Sequence, residues 1–173
     1  MTPANRILCA IDTPDLNAAT ALAETLSDTI GGIKLGNEFF TAQGPAGVRH
    51  IAQTGLKIFL DLKFHDIPNT VAGAVAAAST LDCFMLTIHA SGGSAMIRAA
   101  ADARGEGGPK IVAVTVLTSL GDDDLASVGQ AGPAAEQVMR LGNLARTAGA
   151  DGLVASPHEV AALRAALGDD CLL

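Results

Sequence analysis

The chain has 173 residues, 49% of them hydrophobic, with 19 glycines and neither Trp nor Tyr. That is enough for one domain with a sizeable core, expected to span 1–173. The net charge of −7 argues against a general nucleic-acid binder, which is usually basic. It leaves a small anionic ligand open, because local lysines can reverse the field inside a cleft.

Other broad classes fall away next. No apolar run approaches the length of a bilayer crossing. Residues 1–6 lack the charged-then-apolar layout of a signal peptide. Cys9, Cys83 and Cys171 are far apart, odd in number and set in apolar runs. They read as buried, reduced thiols of a cytoplasmic protein. Paired Cys or His spacing is absent, so no metal site is expected from them.

Short apolar runs alternate with longer amphipathic ones. Residues 6–11 predict a first strand, and 16–29 repeat Leu16, Ala19, Ala23, Leu26 and Ile30 at helical spacing. A strand over 32–35 leads to a helix over 38–54, broken at Gly44-Pro45. The third strand is 57–63, and Pro68 opens a helix to 78. A strand over 83–89, a Gly92-Gly93 turn and a helix to about 104 follow. Then come a strand over 110–117, a helix over 133–148, a strand over 151–155 and a helix over 157–167 with Ser156 as its N-cap. Residues 171–173 open one more strand.

Regular alternation of this kind predicts a parallel sheet with helical crossovers. No Gly-x-Gly-x-x-Gly follows the first strand, which weakens a dinucleotide-binding reading. Polar residues gather instead at the carboxyl ends of several strands: Asp12, Lys34, Asp61, Lys63, His89 and Thr118. A doubly wound sheet collects ligands near one switch point, whereas a barrel draws them from many strands. The expected fold is therefore a TIM (β/α)8 barrel, here with about six strand-helix units and the opening of a seventh. That fold typically takes about 250 residues. The expectation is of a barrel truncated after those units, and of a poor enzyme in the 173-residue form.

The most informative stretch is Asp61-Leu62-Lys63-Phe64-His65-Asp66-Ile67-Pro68-Asn69-Thr70. Asp61 and Lys63 are two apart, so an extended chain points them to one face. Charge at the end of a buried strand is costly unless pairing or function requires it. The segment resembles the signature of the orotidine 5′-phosphate decarboxylase family. Its Asp-x-Lys-x-x-Asp core is shared by a wider group of phosphosugar-binding barrels. The run through Ile67-Pro68-Asn69-Thr70 is more specific.

The resemblance implies decarboxylation of orotidine 5′-monophosphate to uridine 5′-monophosphate without a cofactor or metal, the last step of de novo pyrimidine nucleotide synthesis. Lys63 is then the proton donor at C6, Asp61 crowds the departing carboxylate, and Lys34 completes a Lys-Asp-Lys-Asp network with Asp66. Asp66 and Thr70 are implied to reach the neighbouring site of a homodimer, with Ile67 also in the substrate-binding set. Asp12 matches a ribose-binding carboxylate, and Thr118 a hydroxyl at the pyrimidine edge. The resemblance also implies a phosphate-gripping Gly-Ile-Arg-like segment and a Gln, for which the 173 residues hold no counterpart.

Plainer readings compete at several positions. Asp12 could be a turn residue before Pro14, Lys34 a solvated strand-end lysine, and Thr118 or Ser119 a capping hydroxyl. Asp66 could cap the helix that Pro68 opens. His65 reads as a packing or surface residue, His89 as part of the pocket floor, and His50 and His158 as helix-surface residues. Asp122-Asp123-Asp124 reads as a solvated loop entering a helix, where acidic residues suit the first turn. Gly92-Gly93 reads as a tight turn rather than a phosphate cradle.

Two rivals remain. One is a metal-dependent sugar-phosphate decarboxylase or aldolase of the same barrel group, which would need an acid near the second strand end. Lys34 stands there, with Glu38 the nearest acid. The other is an inactive barrel fragment.

Overall fold

A computed structural model describes residues 3–130 and 132–173. Met1 and Thr2, the start of the segment weighed as a signal peptide, lie outside the described residues.

Six strands form, each from a short run rich in Ile, Leu and Val: β1 (Leu8–Ile11), β2 (Gly32–Gly36), β3 (Lys57–Phe64), β4 (Met85–His89), β5 (Lys110–Val114) and β6 (Gly152–Val154). Consecutive residues of β4 and β5 are buried, which happens only when both faces of a strand are covered. Between them run α1 (Leu16–Leu26), α2 (Asn37–Ala52), α3 (Pro68–Ser79) and α4 (Gly93–Ala103). After β5 come α5 (Asp122–Ser127) and α6 (Ala134–Thr147), and after β6 comes α7 (Val160–Leu167). The strands make one sheet in chain order. This is the strand-helix order of a (β/α)8 barrel, carried through six strands.

The chain divides into two compact units. The first is built from the chain up to Leu62, with 76–86 and 105–109. In it β1 pairs with β2, and β2 with β3, all parallel. Helix α1 starts where Asp15 accepts a hydrogen bond from the Ala18 N–H at 3.0 Å, the usual N-cap device. Helix α2 kinks at Gly44, whose φ of 58° suits glycine, just before Pro45. The core of this unit holds Ile11, Ile33, Leu35, Phe39, Ile51 and Leu60.

The second unit takes 63–75, 87–104 and the chain from 110 onward. Here β5 pairs with β6 in parallel. Helix α4 packs on β5 and α6, and α6 packs on β6 and α7. The close approach of α6 depends on Gly142, where an added Cβ would lie 3.0 Å from both Leu153 and Leu163 side chains.

Several boundaries differ from the sequence expectation. The first strand starts at Leu8, because Pro3–Arg6 form a short 3-10 turn closed by the Ile7 N–H on the Ala4 carbonyl. The fourth starts at Met85, after Asp82 turns the chain at φ 54°. The fifth ends at Val114 rather than 117. Ser156 does not cap the last helix. Its hydroxyl accepts from the His158 N–H and its carbonyl from the Glu159 N–H, closing a separate turn before α7 begins at Val160. Of the strand expected at 171–173, a single parallel bridge forms between Leu172 and Gly152. Asp122, Asp123 and Asp124 do form a helical first turn.

Two of the thiols are buried as expected, Cys83 and Cys171, but Cys9 is only half-buried. Burial pushes the Cys83 thiol up to about 11 and raises that of Cys171. Both are therefore poor nucleophiles near neutral pH.

Asp151 is a junction that periodicity does not reveal. Its carboxylate accepts from the Ile111 N–H at 2.8 Å and meets Lys110 at 3.3 Å and the Arg104 guanidinium. Its own N–H donates to the Ile111 carbonyl, and its carbonyl accepts from the Leu172 N–H. One short acid thus ties the start of β5 to the end of α4. Asp151→Ala leaves a backbone donor and a half-buried guanidinium without their acceptor. It should lower stability by about 2–3 kcal/mol, read as a shift in the urea unfolding midpoint.

Candidate active site

The carboxyl ends of the first three strands are brought level by register. Ile11 lies beside Leu35, and Leu35 beside Leu60. Asp12, Gly36 and Asp61 therefore stand one step further along their strands. Lys34 is two residues before Gly36, so the pleat gives both the same face. Gly36 lies directly beneath the Lys34–Asp12 pair: a Cβ there would make ordinary contacts, 3.6 Å from Lys34 Nζ and 3.8 Å from Asp12 Oδ1. The ammonium reaches across to both acids, 3.4 Å from Asp61 Oδ2 and 3.6 Å from Asp12 Oδ1. Lys34 is thus no free surface lysine, and Asp12 is more than a turn residue.

The two acids differ in setting. The Asp61 side chain is 10% exposed and that of Asp12 66%. A buried carboxylate needs its partner far more than an exposed one does.

Two residues on, the strand changes character. Lys63 has φ 53°, one of two described non-glycine residues in the left-handed region. The same-face argument for Asp61 and Lys63 rests on an extended chain, and the Lys63 backbone departs from that geometry. The Lys63 N–H donates to Thr87 Oγ1 at 2.9 Å. Beyond it, the Asp66 carboxylate accepts from the Ile67 N–H at 2.6 Å. The first turn of α3 is closed by the Ile67 carbonyl, which accepts from the Thr70 and Val71 N–H groups. Asp66, Ile67 and Thr70 are all exposed, Ile67 at 66%.

His65 is exposed, and its ring lies 5.4 Å from that of His89, tilted by 36°. His89 itself is half-buried. Thr118 and Ser119 do not end a strand. They sit in an exposed turn beyond β5, closed by the Leu120 N–H on the Leu117 carbonyl. His50 and His158 are both exposed as expected, but only His50 is on a helix, α2, while His158 lies in the turn before α7. Among the described residues, no group of three His, Cys, Asp or Glu side chains is placed to hold a metal ion, and no helix is long and apolar enough to cross a membrane.

Residues 5–173 match the model of the Orotidine 5'-phosphate decarboxylase / HUMPS family. The chain belongs to that family. Its relatives include proteins named orotidine 5'-phosphate decarboxylase from Rhodospirillum rubrum, 52% identical over 177 residues, and Anaeromyxobacter dehalogenans, 51% identical over 174. The matches cover 98% and 100% of this chain, and 72% and 76% of those relatives. A crystal structure of the decarboxylase from Lactobacillus acidophilus is 39% identical, with a TM-score of 0.87, over 96% of this chain and 78% of the other. The (β/α) barrel reading stands on that likeness.

Two features of this family member escaped the motif. Thr87 is one, although a hydroxyl between Leu86 and Ile88 in an apolar strand was a visible signal. The left-handed Lys63 is the other, and nothing in residue type announces it.

The Lys34–Asp12 contact is largely solvated, so Asp12→Ala should cost no more than about 1 kcal/mol of stability. Urea unfolding measures it. A loss of turnover out of proportion to that change then reports on ligand binding and not on folding.

Proposed function

We propose that the chain decarboxylates orotidine 5′-monophosphate to uridine 5′-monophosphate, the last step of de novo pyrimidine nucleotide synthesis, with Lys63 as the proton donor. The observation that carries this is the family match over residues 5–173, which includes Asp61-x-Lys63-x-x-Asp66 with its Ile67-Pro68-Asn69-Thr70 tail.

The chemistry asks for a cation at the reacting carbon. The bond from C6 to the carboxylate breaks, carbon dioxide departs, and the electron pair stays on C6. An ammonium at that carbon stabilises the developing charge and then supplies the proton. Asp61, held by Lys34, is the carboxylate that would face the leaving group. Its burial supports a fixed rather than a solvated role. Asp12 would take a ribose hydroxyl, and Thr118 the pyrimidine edge. No cofactor enters this scheme.

The homodimer belongs to the same reading. Ile67 is a large apolar side chain left at the surface beside Asp66 and Thr70. A second copy covering this turn would bury it and place Asp66 and Thr70 at the neighbouring substrate. The whole chain would act as part of one barrel domain in the cytoplasm, a setting that suits three free cysteines. The names carried by the relatives favour this chemistry over sugar-phosphate cleavage.

Lys63→Ala should lower kcat by at least about 10³-fold while circular dichroism stays unchanged, since it removes both the proton donor and the cation. EDTA should leave the unsubstituted enzyme's rate of uridine monophosphate formation unaltered. A loss restored by magnesium would move the protein to the metal-dependent rival.

Lys63→Ala and Asp66→Ala chains, each inactive alone, should regain activity when mixed and allowed to exchange subunits. Random pairing restores both native residues at about a quarter of the sites. Exchange shown by mass spectrometry without recovery would place Asp66 outside the neighbouring site.

A further inference from the structure

We infer that Thr87 is a positioning residue for Lys63, setting the direction of its ammonium through the backbone. This rests on Lys63 being the proton donor.

Three observations meet at this point. Lys63 sits at φ 53°, in the left-handed region that non-glycine residues rarely adopt. Such a conformation persists only when its surroundings hold it. The Lys63 N–H donates to Thr87 Oγ1 at 2.9 Å. Thr87 is 0% exposed, in β4 between the fully buried Leu86 and Ile88.

A hydroxyl in that setting needs a reason. Valine has nearly the same shape, suits a strand equally well and carries no polar atom to desolvate. What threonine adds is an acceptor, and the acceptor is used on the N–H of a residue that departs from extended geometry. Fixing that N–H fixes the peptide plane before Lys63. Together with φ, the plane sets where Cβ points, and so where the long side chain begins. Lysine has four rotatable bonds beyond that point, but its reach is useful only from the right origin. A displacement of about 1 Å at a reacting group can cost about 10²-fold in rate.

An extended residue at 63 would follow the pleat. The left-handed turn instead redirects the chain within the strand end, and β4 supplies the hydrogen bond that holds it there.

The test uses the intact protein with Thr87→Val, Thr87→Ser and Lys63→Ala measured in parallel for kcat, KM and thermal midpoint. Thr87→Val should lower kcat by about 10- to 100-fold with KM within about twofold. Thr87→Ser keeps the acceptor and should stay within about threefold of the natural kcat, although it loses a buried methyl. A purely structural threonine predicts the opposite order, with serine the worse variant and the loss following the thermal midpoint. That order, or an unchanged kcat in Thr87→Val, overturns the inference. If Thr87→Val fails to fold, Thr87→Cys, of similar volume and a weak acceptor, takes its place under the same criteria. Substantial activity in Lys63→Ala would instead remove the proton-donor reading itself. An inactive Lys63→Ala beside a fully active Thr87→Val would remove only the positioning role.

Discussion

Strands covered on both faces admit a charged side chain only at the strand end or where a partner meets it. In β2 every residue but Lys34 is buried, and in β5 every residue but Lys110. Carrying an ion into such a layer costs several kcal/mol unless a partner meets it. The charged residues of the motif obey this constraint. Lys34 lies between two acids, and its ammonium is closer to Asp61, the buried one, than to Asp12. Within the second unit, Asp151 meets the same demand by accepting from two cations and a backbone N–H.

Register converts that constraint into a site. Parallel pairing places Asp12, Gly36 and Asp61 on one level, although they are far apart in the chain. The Lys34 side chain, on the same strand face as Gly36, spans both carboxylates. Local chemistry and sheet geometry are inseparable here: shifting one strand by a single residue would turn Lys34 to the other face.

The segment after Asp61 works by different means. Beyond β3, local hydrogen bonds replace ladder pairing, with Asp66 accepting from its neighbour and Ile67 closing the first turn of α3. The outcome is a turn over 65–70 whose residues are exposed. That contrast between buried Asp61 and exposed Asp66 is what separates the two carboxylates of the motif, which look equivalent as letters.

Much of this was legible in the residues. Apolar runs of four to eight residues alternating with amphipathic stretches specified six strands in a barrel order, because burial on both faces demands continuous Val, Ile and Leu. The charged run from Asp61 to Asp66 marked a site, because charge is costly there unless a site or a partner requires it, and the Ile67-Pro68-Asn69-Thr70 tail carried the family resemblance. Element ends were less legible. Ser156 had the chemistry of a cap and closed a separate turn, and Thr118 lay past its strand, since where pairing stops depends on the neighbouring strand and not on the residue. The union of Asp12 with Lys34 and Asp61, the junction at Asp151 and the left-handed Lys63 held by Thr87 were settled by tertiary structure alone. Each joins residues distant in the chain, through register or a hydrogen bond to another element, and no local pattern encodes a distance of that kind.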